Sequence, residues 1–249
     1  MTNWCVLDGD NAEHLALMGR DTVDHVITDP PYGEHTHGRV RRRGLSNGSP
    51  NERGAACKQL RNVDLGFSPI TVGEMKRCAV MFADIAKRWT IVFTDDQTAP
   101  NWRDAFRMAG LENVRTMIWV KTRCTPQFTG DRPAQGHELI LLAHRPGRKR
   151  WNGGGKHGVY TCPVVLNGSG GTRKRVHTTQ KPLSLMESLI RDFTDPGELI
   201  LDPYAGSGTT LVAAHRLGRR SIGIEKQQKY VDTARKRLED TREQRELFG

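Results

Sequence analysis

Seven short apolar runs recur along this chain, separated by segments whose apolar residues repeat at helical spacing. The runs are Cys5–Leu7, His25–Thr28, Thr90–Thr94, Thr116–Val120, Glu138–Ala143, Leu199–Leu201 and Ser221–Ile224. Short, nearly continuous apolar runs bounded by turn residues predict strands buried on both faces. Between them, Met75, Cys78, Ala79, Phe82, Ala86 and Trp89 share one helical stripe, as do Met186, Leu189, Ile190 and Phe193. The second stripe follows Pro182, which suits a first helical turn because it has no N–H to lose. A third helix is predicted from Thr210 through Leu211, Ala214 and Leu217, stopping at Gly218. A charged C-terminal helix follows, with Tyr230, Ala234 and Leu238 turned inward. The fold class is therefore α/β, a mainly parallel seven-stranded sheet with helices on both faces. At 249 residues it forms one domain, 1–249.

Two stretches interrupt the rhythm, 34–70 and 145–176, both rich in Gly and basic residues. Long segments of this kind inside a domain are usually binding loops, lids or disordered. Thirty-eight Lys and Arg against 28 Asp and Glu give a net charge of +10, which favours a polyanionic partner. No apolar run is long enough to span a bilayer. Met1-Thr2-Asn3-Trp4 lacks the start of a secretory signal. The odd, scattered cysteines (Cys5, Cys57, Cys78, Cys124, Cys162) read as reduced thiols of a cytoplasmic protein. His35-Thr36-His37 fits no common zinc spacing, so no metal is expected.

Two segments carry chemistry. Leu199-Ile200-Leu201 runs into Asp202-Pro203-Tyr204-Ala205-Gly206-Ser207-Gly208-Thr209-Thr210. Gly206 and Gly208 allow a sharp turn and a close approach to a ligand, and Thr209 and Thr210 open a helix with free N–H groups. Glu225 closes the next strand, where an acidic residue can accept ribose hydroxyls. A dehydrogenase loop competes with this reading but would carry a third glycine. A P-loop is excluded because no Gly-Lys-Ser/Thr follows. Asp202 is tolerable beside a sulfonium cofactor, which carries no phosphate, and would repel a pyrophosphate.

The other segment is Asp29-Pro30-Pro31-Tyr32-Gly33, delivered by Val26-Ile27-Thr28. An aromatic amine is a poor nucleophile because its lone pair is delocalised into the ring. Asp29 and the Pro30 carbonyl can accept its two N–H bonds, draw the nitrogen towards a tetrahedral shape and free the lone pair. Pro31 has no N–H to engage that carbonyl, and Tyr32 offers a flat face for a base. Taken alone, the segment is as readily a proline-rich turn capped by Asp.

In this order, the two segments resemble the β-type amino DNA methyltransferases, which methylate adenine N6 or cytosine N4. The resemblance runs from Asp8 to about Tyr230 and implies a Rossmann-like methyltransferase fold with a circularly permuted motif order. It implies a sheet ordered 3-2-1-4-5-7-6, entered at the third strand. The cofactor would be S-adenosylmethionine, met by Asp10, Asp29, His177, Lys181, Asp202, Pro203, Tyr204, Gly206, Gly208, Thr209 and Glu225. Asp10 matches the position for the adenine amino group of the cofactor. His177-Thr178-Thr179-Gln180-Lys181-Pro182 looks like the family's H-x-T-Q-K-P segment, with Lys181 directed at the methionine carboxylate. Tyr204 departs from the commoner Phe. The catalytic residues would be Asp29, Pro30, Pro31 and Tyr32.

The implied substrate is double-stranded DNA with the target base flipped out. Unstacking costs a few kcal/mol, and stacking on an aromatic returns about 1–3 kcal/mol per base. Phosphate contacts must add the rest. The candidates are Arg39, Arg41, Arg42, Arg43, Arg148, Lys149, Arg150, Arg173, Lys174 and Arg175. Each is equally consistent with solvated loop charge. Target recognition is expected in 145–176, with 34–70 as its catalytic-side partner. Both are short, which implies a short site or recognition shared between two subunits. A homodimer and a cognate restriction endonuclease are the partners this reading allows, in a prokaryotic or phage-infected cytoplasm. Adenine N6 is the expected target because Asp precedes Pro-Pro-Tyr, with cytosine N4 as the alternative. An RNA or protein-amide methyltransferase and a non-enzymatic DNA-binding module are the remaining readings.

Overall fold

A computed structural model describes residues 3–34, 68–124, 131, 133–165 and 180–248. Among these residues eight strands form one sheet: β1 (Trp4–Asp8), β2 (His25–Thr28), β3 (Trp89–Thr94), β4 (Glu112–Thr122), β5 (His137–His144), β6 (Val159–Pro163), β7 (Leu199–Asp202) and β8 (Arg220–Glu225). Their order across the sheet is β1-β8-β7-β2-β3-β5-β4-β6. Among the described strands only β5 runs against its neighbours, β3 and β4. All seven expected strands are present, and the expected 3-2-1-4-5-7-6 order is reproduced, with the chain entering at the strand numbered 3, on the sheet edge.

The eighth strand is a correction. β6 lies inside 145–176, a stretch read as loop, and pairs parallel to β4 from Ile118↔Val159 to Thr122↔Pro163. Its five residues alternate between exposed and half-buried on an edge, so the apolar run that betrays a central strand is missing. Strands β2 and β3, by contrast, are buried at every position, as two-sided coverage requires.

Among the described residues six helices cover the faces: α1 (Asn11–Leu17), α2 (Val72–Ile85), α3 (Ala99–Met108), α4 (Leu183–Phe193), α5 (Thr209–Arg216) and α6 (Gln228–Phe248). On one face, Val26, Val92, Leu141, Leu201 and Ile224 pack with Leu15 of α1, Met75 and Phe82 of α2, and Trp102 and Phe106 of α3. On the other, Ile27, Ile91, Phe93, Ile140 and Ile200 meet α4 and α5. Helix α2 begins with a capping box: Glu74 N–H donates to Thr71 Oγ1 at 3.2 Å and Thr71 N–H to Glu74 Oε2 at 2.7 Å. Its stripe outruns the helix, because Ala86 is the C-cap and Trp89 opens β3. Pro182 is the N-cap of α4 and lies just outside its first turn. In α6 the inward residues are Val231, Ala234 and Leu238, whereas Tyr230 is only half-buried. The expected inward face was thus one residue out at its start.

Candidate active site

Strands β2 and β7 are parallel neighbours, with His25↔Ile200 and Val26↔Leu201 in register. Their carboxyl ends therefore emerge side by side, and each carries one of the two chemical segments. Thr28 Oγ1 donates to Asp202 Oδ1 at 2.8 Å, tying the two strand ends together directly. Tyr204 N–H also donates to Asp202 Oδ1, at 3.1 Å. Asp202 is almost fully buried. Burial raises its carboxyl to about 6, against the hydrogen bonds from Thr210 and Thr28, and the nearby Asp29 charge adds to the rise.

The glycines divide their work. Gly206 (φ +50°) has nothing within 4 Å of where a Cβ would point, so its open side faces free space at the rim. At Gly208 (φ +78°) a Cβ would meet Ala234 Cβ at 2.8 Å and Ala234 Cα at 3.2 Å. Gly208 therefore packs closely against α6. Thr209 likewise turns its hydroxyl to α6, accepting from Arg237 at 3.2 Å.

Glu225 ends β8 and clamps the loop. Its Oε2 accepts Gly206 N–H at 2.9 Å and its Oε1 accepts Gln227 N–H at 2.8 Å. Burial raises its carboxyl pKa, and the backbone N–H groups partly offset that. A carboxylate has about four acceptor positions, so room remains for a hydroxyl donor. Asp10 caps α1 through Ala12 N–H at 2.9 Å and pairs with Lys226 at 3.2 Å. The Ala12 N–H, with Lys226, lowers its carboxyl pKa. β1 and β8 are parallel neighbours with Asp8↔Glu225 in register, so Asp10 lies just past the strand end beside Glu225. Open space at Gly206 flanked by two carboxylates fits a ligand with hydroxyl and amine donors.

On the β2 side, Asp29 is half-buried and faces Lys181, whose Nζ stands 2.6 Å from Asp29 Oδ2. Lys181 also donates to the Tyr32 hydroxyl at 3.1 Å and lies 3.2 Å from Glu138 Oε2. The Tyr32 hydroxyl donates to Glu138 Oε2 at 2.8 Å, and Lys121 Nζ stands 2.5 Å from Glu138 Oε1. Lys181, expected at a cofactor carboxylate, is thus committed to Asp29 and Glu138. Burial acts against its charge, but the two carboxylates outweigh it and raise its pKa. Burial likewise opposes the Glu138 charge, yet Lys181 and Lys121 hold that carboxyl at about 2. Burial raises the Asp29 carboxyl, with Lys181 pulling the other way. Among the described residues, Asp29 Oδ1 is buried and has no hydrogen-bond partner. A buried, unpaired acceptor is costly unless a ligand completes it.

Glu138 and Lys121 escaped the sequence reading. A charged residue opening an otherwise apolar strand was the available signal at Glu138, but its rim depends on β5 running antiparallel. The basic residues scatter. Arg148, Lys149 and Arg150 follow β5, whose end at His144 pairs with Trp89, the start of β3. They therefore lie at the rim opposite Asp29. There, Lys149 pairs with Glu112 at 2.9 Å and Arg150 with Asp195 at 2.8 Å. The structure does not bring them to the site. Arg39, Arg41, Arg42, Arg43, Arg173, Lys174, Arg175 and His177 lie outside the described residues. Glu34 stands two residues after Tyr32 on the Asp29 side of the sheet, and Gln180 precedes Lys181.

The DNA methylase family model for N6/N4 enzymes matches residues 23–236. Among curated proteins, the Type II methyltransferase M2.DpnII of Streptococcus pneumoniae is 30% identical over 94% of this chain and 89% of its own length. The Type II methyltransferase M.HinfI of Haemophilus influenzae is 28% identical over 94% of this chain and 68% of its own. Among solved structures, the M1.HpyAVI–SAM complex superposes with a TM-score of 0.65 at 26% identity, over 94% of this chain and 98% of that one. The cytosine-N4-specific PvuII DNA methyltransferase shares the fold, with a TM-score of 0.69 at 17% identity over 98% of this chain and 91% of that one.

Proposed function

Because the chain belongs to the N6/N4 DNA methylase family, we propose that it methylates the N6 amino group of an adenine flipped out of double-stranded DNA. The methyl donor is S-adenosylmethionine, which, when bound, supplies an electrophilic methyl group on a sulfonium sulfur. Residues that fit its binding are Asp10, Asp202, Tyr204, Gly206 and Glu225, grouped at the carboxyl ends of β1, β7 and β8.

The observation that carries the reading is the unpartnered Oδ1 of Asp29 beside the cofactor loop. Asp29 Oδ1 and the Pro30 carbonyl accept the two N–H bonds of the target amine and free its lone pair. Tyr32, its hydroxyl fixed on Glu138, presents its ring to the base. As the new N–C bond forms and the methyl–sulfur bond breaks, its electron pair left on sulfur as a neutral thioether, the nitrogen gives up one proton, and Asp29 Oδ1 is the acceptor in place. The rate gain comes from orientation of amine and methyl group, with no covalent enzyme intermediate. Asp before Pro-Pro-Tyr supports adenine over cytosine. Residues 145–176 are the proposed target-recognition region, which contains β6.

The test offers unmethylated duplex DNA, RNA and protein with labelled cofactor, followed by mass spectrometry of the nucleosides. N6-methyladenine in duplex DNA is the expected product. N4-methylcytosine would move the assignment to the other amino base, and label only in RNA or protein would overturn it.

A further inference from the structure

Lys181 poses a problem for the amine-binding role of Asp29. An ammonium 2.6 Å from one oxygen of a carboxylate has three donors and can reach the other oxygen as well. It would then occupy the acceptor that the target amine needs. In the structure it does not, and a second carboxylate also holds it. Glu138 Oε2 lies 3.2 Å from Lys181 Nζ and accepts the Tyr32 hydroxyl at 2.8 Å. Its other oxygen is anchored by Lys121 at 2.5 Å. Lys181 is also stationed 5.2 Å from the Tyr32 ring centre and 5.0 Å from that of Phe93, which limits where its ammonium can move.

We propose that Glu138 is a positioning residue for methyl transfer, keeping Asp29 Oδ1 free for the target amine by holding Lys181 on Oδ2 and the Tyr32 ring in place. This deepens the function proposed above and rests on it. The charged and titratable groups facing Asp29 are Lys181 before α4, Glu138 on β5 with Lys121 behind it on β4, Tyr32 in its own turn, and Asp202 at the end of β7. Of these, Glu138 is an anion whose removal makes Asp29 more acidic in two ways. Its own repulsion disappears, and Lys181 turns wholly to Asp29.

The experiment compares wild type, Glu138→Gln and Glu138→Asp. Glu138→Gln should lower kcat at least tenfold while the dissociation constant for S-adenosylmethionine, measured by calorimetry, stays within twofold. The acidic limb of its pH–rate profile should move to lower pH. In cofactor-free protein, the carbon-13 titration of the Asp29 carboxyl should show the same fall in midpoint. Glu138→Asp keeps the charge but shortens the reach to Tyr32. It should return the Asp29 midpoint towards wild type while kcat stays depressed. An unmoved Asp29 midpoint in Glu138→Gln overturns the proposal, as does an unchanged kcat. Where Glu138→Gln fails to bind cofactor, the Glu138→Asp titration and kcat decide alone, and wild-type values for both overturn it. A wild-type protein that methylates no nucleic acid would instead sink the proposed function, because the carboxyl titration is independent of turnover.

Discussion

In the proposed reaction Asp29 joins two features in one side chain: Oδ2 is paired with Lys181 and Oδ1 is left unpaired. Asp29→Ala should lower methyl transfer by about 10²–10³-fold or more, the range for removing a group that acts on the reacting centre. Cofactor affinity should stay nearly unchanged, and Lys181 keeps Glu138 as a partner, so the fold should persist. Single-turnover transfer and calorimetry on the same preparation check both halves. Glu225→Ala should show the opposite pattern, weakening cofactor binding about tenfold or more because Gly206 N–H and Gln227 N–H also lose their acceptor. A dissociation constant equal to wild type would remove Glu225 from the site. The motif spelling made both acids legible in the sequence. The destination of Lys181 was not, because a lysine's partner depends on which strands end beside it.

At the scale of elements, the loop between β7 and α5 makes two demands that look alike in the sequence. Gly206 and Gly208 both adopt positive φ, but only Gly208 lies against another helix. Gly208→Ala should cost about 2–4 kcal/mol of stability, combining backbone strain with overpacking against Ala234. Gly206→Ala carries the strain alone, about 1–2 kcal/mol, and projects a methyl group into the ligand space. Thermal unfolding should therefore single out Gly208→Ala, while cofactor titration should show the larger deficit per unit of stability lost for Gly206→Ala. Helix α6 supplies this distinction from residue 234, distant in sequence, so no local pattern could announce it. Strand β6 was missed for a related reason, since an edge strand lacks the two-sided burial that makes central strands readable.

Across the whole molecule the two rims of the sheet differ in purpose. At the amino rim, Glu198 accepts from His25 at 2.9 Å and pairs with Arg88, joining the starts of β2, β3 and β7. Burial opposes that charge, but His25, the Asp195 N–H and Arg88 hold the Glu198 carboxyl at about 2. A depressed carboxyl contributes stability above its ordinary value of 4.5, and the contribution is lost as pH falls towards 2. Glu198→Gln should therefore cost about 3 kcal/mol at pH 7 and much less at pH 3, as urea unfolding at the two pH values would show. The same rim holds Arg148, Lys149 and Arg150, so replacing all three with Ala should leave the salt dependence of DNA binding unaltered. Replacing Arg41, Arg42 and Arg43 should flatten it by roughly one unit of slope for each phosphate no longer neutralised. A flattened slope from the first set would put DNA on the amino rim.

The order of amino acids was enough to settle the alternation of elements, the acids and glycines at strand ends, and the succession of the two chemical segments. Those are local properties, written in apolar spacing and in residues that permit tight turns. Which strands lie side by side was settled by the assembled sheet, and with that three outcomes: Lys181 meets Asp29, Glu138 anchors Tyr32, and one basic cluster faces away from the site. Pairing between distant strands depends on burial summed over the whole sheet, so no single segment carries that information.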